Sequence, residues 1–513
     1  MGTPNGADSA APLDAGGDAS TLDGSNAADA PSDGSNAADT QSDRSNAADT
    51  QSDQLAPTPL GAMTIRLERP YVVRGPAGDE MDQPLSELAL GAGSWRAFTA
   101  NATSFAVDAP DMLSLGGTRT AVLSPGAKGT YSECGQWLNE ARVIGGTLFG
   151  FVHCEMACNY AVGQTHKSMA IARSTDQGHT WTMLAQFMTD TQPPQPNTIT
   201  GEGDCTAIDG HDGYVYAYCL RDMDWTTIVA RAQASDLSPG NWWKFDGTGW
   251  SLPALGGHAA ALGGLGTGSA YWTTEDAVML AQPNHAFGGV ELSLSSNRTA
   301  FTTFPEPLVP LEADDWSRPA PTELYAYVSF LSPLDGTNDV GDDLYLAHVY
   351  LQPNEDFGSR YYVMRHMKIT RLASDPGAPR VGVALVRWYS SADHDRWTTT
   401  APVPGNDTRY VVDASVGYLM SAPPPNAQTT KLEDCVSTWP GHPDHVLTND
   451  GQCVGGGYTR LRTAGWVFQS AVAGTAPLYR CFDPIENSHF ASNQPNCDGL
   501  GRMEWLLGYA LSR

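Results

Sequence analysis

The chain is short of positive charge. Its 513 residues carry 29 Lys and Arg against 57 Asp and Glu, a formal net charge of −28. Such a surface repels phosphate, which excludes nucleic acid and anionic membrane surfaces as partners. No apolar run is long enough to span a bilayer. The opening MGTPNGADSA has neither the basic nor the apolar region of a signal peptide. The nine cysteines contain no CxxC pair, and no histidine cluster with zinc-ligand spacing accompanies them. No metal and no cofactor is therefore expected.

Turn formers and aromatics are abundant instead. Gly (53), Pro (35), Trp (14) and Tyr (19) suit an all-β chain with many turns, and its length suits two or three domains. The cysteines read as disulfides of an exported protein, or alternatively as buried reduced thiols. Local spacing pairs Cys205 with Cys219, Cys435 with Cys453 and Cys481 with Cys497. Cys134 would pair with Cys154 or Cys158, leaving one thiol over. The expected location is extracellular or on a bacterial cell surface, with the export signal trimmed, and the chain is read as a monomer.

Residues 1–58 are a low-complexity acidic tail. GSNAADAPSD, GSNAADTQSD and RSNAADTQSD form a ten-residue repeat over 24–53. Almost nothing in it can be buried, so it is expected to be a disordered, self-repelling spacer. It resembles the tails that hold bacterial surface lipoproteins away from the membrane.

Residues 59–375 read as short strands punctuated by turn residues. Within them STDQGHTW (174–181) matches the Asp-box, S-x-D-x-G-x-x-W, a turn between the outer strands of a propeller blade. Its aspartate can accept backbone N–H bonds, its glycine can take a positive φ, and its tryptophan packs beneath. Asp176 is thus structural. Fainter copies at TANATSF (99–105), ASDLSPGNW (234–242) and SSNRTAF (295–301) place Asn101, Asp236 and Asn297 in register with it, at intervals of about 60–75 residues. With a fifth unit over about 310–370, this predicts a five-bladed β-propeller.

Residues 376–513 follow another rule. ALVRWYSSADHDRWTTTAP (384–402) resembles PLYRCFDPIENSHFASNQP (477–495), and Gly-aromatic pairs recur at Gly417, Gly465 and Gly508. Three quasi-repeats of this size predict a trefoil-like all-β module. It resembles a repeat domain found at the C-terminus of exported bacterial hydrolases. Its aromatics could stack on sugars, making it a candidate carbohydrate-binding module.

Function in a propeller concentrates where the innermost strands begin. Acids precede such strands in QWLNEARVIGGTLFGFVH (136–153), GEGDCTAIDGHDGYVYAYC (201–219) and RPAPTELYAYVSF (318–330). WLNEARV with GGTLFGF resembles the WMNDPNG opening of the five-bladed invertase and arabinanase glycoside hydrolases, and GDCTAIDGHDGYVYAY is similar to their second acidic motif. The resemblance implies Glu140 as nucleophile or base, Asp204 as the tuning acid and Glu323 as the proton donor. It also implies a furanoside-type substrate, arabinan- or fructan-like. The motif departs from the family: Glu stands at 140 for Asp, both prolines are missing, and no cysteine flanks Glu323. Glycoside hydrolysis needs one protonated and one ionised carboxyl, which crowded acids supply.

The stretch FVHCEMACNYAVGQTHKSM (151–169) adds Glu155 as a reserve catalytic acid, with His153 and His166 beside it. Asn139, Arg142, Arg221 and Trp272 are further candidate substrate contacts. The expected function is an exported glycoside hydrolase acting on a glycan. The alternative is a non-catalytic surface lectin or adhesin, because a propeller fold serves many functions.

Overall fold

The computed structural model describes residues 62–222, 224–262, 269–272, 278–283, 287–312, 316–372, 379–402, 409–439, 441–451, 453 and 455–512. The repeat-bearing tail lies outside them. The described residues are strands, turns and four single-turn 3-10 segments, with no α-helix among them. None is long and apolar enough to cross a membrane as a helix.

The first two thirds form five successive units of antiparallel strands, each paired mainly with the next strand in sequence. The first unit comprises Ser86–Gly91, Ser94–Asn101, Thr103–Ala109 and Arg119–Leu123. The second comprises Gly135–Ile144, Thr147–Asn159, Gln164–Ser174 and Thr182–Met188. Ile199–Asp209, Tyr214–Arg221, Thr226–Gln233 and Trp243–Lys244 make the third, which a short strand at Leu252–Pro253 extends. Ser269–Trp272, Val278–Pro283, Val290–Ser295 and Thr302–Thr303 make the fourth. The fifth takes Leu324–Leu331, Asp343–Leu351 and Tyr361–Arg371 from one stretch, and its outer strand, Met63–Arg74, from the start of the described chain. That pairing runs from Met63 opposite Arg371 to Arg74 opposite Tyr362.

The first strands of the five units touch one another in cyclic order, the fifth returning to the first. Apolar clusters lie between adjacent units. One of them joins Phe98 and Ala106 of the first unit to Leu138, Val152 and Ala170 of the second. Tight hairpins follow from local chemistry: Gly145 and Gly146, both at positive φ, join the first two strands of the second unit.

STDQGHTW lies between the third and fourth strands of the second unit. Thr180 donates its backbone N–H to Asp176 at 2.9 Å, Gly178 donates to Ser174 Oγ at 2.8 Å, and Trp181 meets Phe98 edge-on at 5.8 Å. Asp236 and Asn297 occupy the same connection in the third and fourth units and also accept backbone N–H bonds. Asn101 does not. It lies between the second and third strands of its unit and donates to the Gly78 carbonyl. A short polar turn before an aromatic is common enough to imitate the pattern once.

The C-terminal third repeats a long strand, a short strand and a second long strand three times. The sets are Val381–Ser390, Asp395–Thr399 and Tyr410–Met420; Thr429–Ser437, His445–Thr448 and Tyr458–Phe468; and Thr475–Asp483, Ser488–Ser492 and Arg502–Leu511. In every set the pairing of the two long strands shifts twice, at equivalent places. Gly417, Gly465 and Gly508 sit at φ of 145° to 147°, where the second long strands converge. A Cβ at Gly465 would lie 2.7 Å from Leu419 Cβ and 2.8 Å from the Met420 carbonyl.

Disulfides join Cys134 to Cys158, Cys205 to Cys219, Cys435 to Cys453 and Cys481 to Cys497. Cys154 is the free, buried thiol.

Candidate active site

Irregularities in the innermost strands build the site. Pairing shifts between Gly203 and Thr206 in the third unit and between Ala326 and Ser329 in the fifth. Asp204 and Tyr327 sit at these bulges with φ of 51° and 49°. Such conformations are costly for non-glycine residues, and bulges re-aim side chains. Both residues line a cavity of about 170 Å3.

Three carboxylates face this cavity. Asp82 enters from the loop before the first unit, Glu155 from the second strand of the second unit, and Asp204 from the third unit. Trp137, Trp316, Tyr327 and Phe357 form its aromatic wall, and Trp316 packs on Phe357 with centroids 5.1 Å apart. The combination of apolar ring faces with a few directed polar groups suits a sugar.

Each carboxylate is pinned. Arg360 Nη1 donates to Asp82 Oδ1 at 2.7 Å, and the Tyr327 hydroxyl donates to the same oxygen at 3.0 Å. Lys167 Nζ lies 2.9 Å from Asp204 Oδ2 and 3.0 Å from Asp222 Oδ1. Burial works against the charge on Asp204, but His153 and Lys167 outweigh it and hold the pKa below the usual carboxylate range. Asp222, fully enclosed behind the lysine, is pushed up to about 6 by burial. Burial likewise opposes the Lys167 charge, yet Asp204, Asp222 and Glu155 raise its pKa well above the ordinary value.

His153 is the remaining proton carrier. The Asp204 backbone N–H donates to its Nδ1 at 3.0 Å, so the neutral ring carries its proton on Nε2, which donates to Glu155 Oε1 at 3.2 Å. Burial disfavours the imidazolium, but Asp204 and Glu155 prevail and raise its pKa. Glu155 also accepts from the Tyr160 hydroxyl. Despite its burial, His153 and Lys167 keep its pKa low. Among the described residues no three of His, Cys, Asp and Glu are grouped to hold a metal ion.

Three solved structures resemble the chain. An exo-β-1,3-galactanase from Phanerochaete chrysosporium is 13% identical, covering 86% of this chain and 94% of its own, with a TM-score of 0.40. An α-L-arabinofuranosidase from Lactobacillus brevis is 10% identical over 58% of this chain and 92% of its own, with a TM-score of 0.41. A family 117 glycoside hydrolase from Zobellia galactanivorans is 10% identical over 61% and 92%, with a TM-score of 0.41. No protein-family model and no curated protein matches the chain.

The cavity gathers Asp204, Glu155 and His153 from the residues singled out in the sequence. The others lie elsewhere. Glu140 is buried with Asn338 Nδ2 3.5 Å away, and burial, opposed by Arg142, pushes its pKa up to about 8. Arg142 donates to Asn338 Oδ1, and Asn139 is buried at the shift in its strand. Glu323 accepts from Tyr325 and Tyr350 and pairs with Arg462 of the C-terminal third at 3.2 Å. Bonds to Thr200 and Thr189 hold His166, while Arg221 is tied to Asp224 and the Ala259 carbonyl. The Trp272 side chain lies outside the described residues.

Sequence reasoning missed Asp82 and Arg360. For Asp82 a signal existed: MDQP (81–84) stands just before the first innermost strand, the same grammar that drew attention to Glu140 one unit later.

Proposed function

We propose that the five strand units are the blades of a propeller that hydrolyses a glycosidic bond in this cavity, with residues 376–513 as a trefoil-like module beside it. One observation carries the reading. Asp82 and the His153–Asp204–Glu155 cluster come from different units yet face one aromatic-walled cavity. Hydrolysis needs a proton donor at the leaving oxygen and an anionic group for the sugar carbon or its attacking water. Asp82, paired with Arg360, takes the anionic role. The His153–Glu155 pair takes the donor role: a proton on Glu155, held beside the His153 Nε2–H, passes to the leaving oxygen, and the attacking water returns it. Lys167 keeps Asp204 ionised beside this pair. The disulfides are compatible with an extracellular location.

The test is reducing-sugar release from a broad polysaccharide panel by the parent, Asp82→Asn and Asp204→Asn. Release by the parent, reduced at least a hundredfold in Asp82→Asn, supports the reading. Release unchanged in both variants sinks it. The lectin reading is favoured by one feature: all three cavity carboxylates already hold a hydrogen-bond partner. Binding to the same panel without release would support it.

A further inference from the structure

The threefold repetition of the C-terminal third shows one of its faces closed and an equivalent face open. Alignment on Gly417, Gly465 and Gly508 makes Ala414, Arg462 and Trp505 equivalent. In the second repeat this face meets the strand units: Arg462 pairs with Glu323, and Arg460 with Glu312 at 2.6 Å. In the third repeat Met503 and Trp505 are 47% and 37% exposed.

Polar groups lie directly beneath. Trp505 covers the Arg480 guanidinium at 4.2 Å. Arg480 is only 3% exposed; it faces Glu504 at 2.7 Å, while its Nη1 has no hydrogen-bond partner among the described residues. A buried guanidinium donor without a partner is costly and marks a place where a ligand can supply an acceptor. His489 continues the row, 2.7 Å from Asp444 and 3.5 Å from Glu504. Tyr458 donates to Asp444, and Trp439, 55% exposed, packs against Tyr458 with centroids 5.4 Å apart. Two exposed indoles thus flank a row that mixes donors and acceptors and whose charges nearly cancel.

We infer that this face, where the second and third repeats meet, is a second carbohydrate-binding site, separate from the cavity, and that it takes neutral glycans. The indoles offer flat faces for pyranose C–H groups, Glu504 accepts from a hydroxyl, and Arg480 Nη1, enclosed beneath Trp505, donates to one when that indole shifts. An anionic glycan is disfavoured by the carboxylates of Asp444 and Glu504 within the row itself.

The test is affinity electrophoresis and calorimetry of the full chain with soluble xylan, β-glucan, arabinan and galactan, all in an Asp82→Asn background. Binding to at least one of these glycans, weakened at least tenfold by Trp505→Ala and by Trp439→Ala, is the expected result. Both substitutions are at exposed positions, and an unchanged thermal midpoint shows that each variant is folded. Equal binding by parent and variants overturns the inference, as does an absence of binding to all four glycans. Loss of hydrolysis in Asp82→Asn with binding retained separates this site from the cavity.

Discussion

Glu140→Gln should stabilise the protein in alkaline solution and leave it unchanged in acid. Glu140 is buried, close to Asn338, and its pKa stands at about 8 against an ordinary 4.5. A raised carboxyl pKa means that the folded state binds more protons than the unfolded state between those values. Stability therefore falls as pH rises through that window, by about 1.4 kcal/mol for each tenfold drop in proton concentration. The parent loses about 3 kcal/mol by pH 7 and about 5 kcal/mol above pH 8. Glutamine keeps the shape and the acceptor towards Asn338 but never ionises, so it escapes the loss. Paired urea unfolding curves from pH 4 to pH 9 measure this directly. The difference in midpoint should be near zero at pH 4, grow through neutrality and level off above pH 8. A difference that does not change with pH, or a parent more stable than the variant at pH 8, refutes the reasoning. Glycan hydrolysis by Glu140→Gln should persist, since Glu140 lies outside the cavity.

Lys167→Met should destabilise the fold by about 3–5 kcal/mol at neutral pH, because Asp204 and Asp222 lose their shared cation while buried. Urea midpoints should show the deficit shrinking as pH falls and the carboxylates take up protons. Gly465→Ala should lower the thermal midpoint, by about 1–3 kcal/mol in stability, through its φ of 145° and the contact at 2.7 Å; a midpoint equal to that of the parent counts against convergence of the strands there. Removing the Cys481–Cys497 link with a double Ser variant should cost about 3 kcal/mol in urea unfolding, and within that variant's C-terminal third reductant should then act only through the remaining Cys435–Cys453 link.

The features legible in the sequence were local ones. Turn residues and aromatics announced strands, and the repeated Gly-aromatic pairs marked the threefold C-terminal third. Asp204 stood out as an acid on an innermost strand, and Glu155 and His153 because they cluster around two cysteines on the strand next to the innermost one of the preceding unit. What stayed hidden depends on distant partners or on which face a side chain takes. Arg360 and Trp316 reach the cavity from the far end of the ring. Glu140 lies past a shift between Leu138 and Glu140, and one extra residue reverses which face a strand residue presents. Glu323 carries an acid before a strand, as sought, but the C-terminal third supplies Arg462 as its partner.

The strand Met63–Arg74 has a consequence for how the molecule is made. It pairs antiparallel with Tyr361–Arg371 on one side, and at Ile65–Leu67 it runs parallel to Val381–Val383 on the other. It leaves the ribosome long before either neighbour exists. A nascent chain ending before Tyr361 leaves its backbone donors and acceptors without their final partners. Ring closure and docking of the C-terminal third are thus two halves of one late event, a seam sealed by an early segment that must wait. Truncated products should carry this strand as an open edge, the kind that recruits foreign strands, so complete synthesis is itself a protection against aggregation.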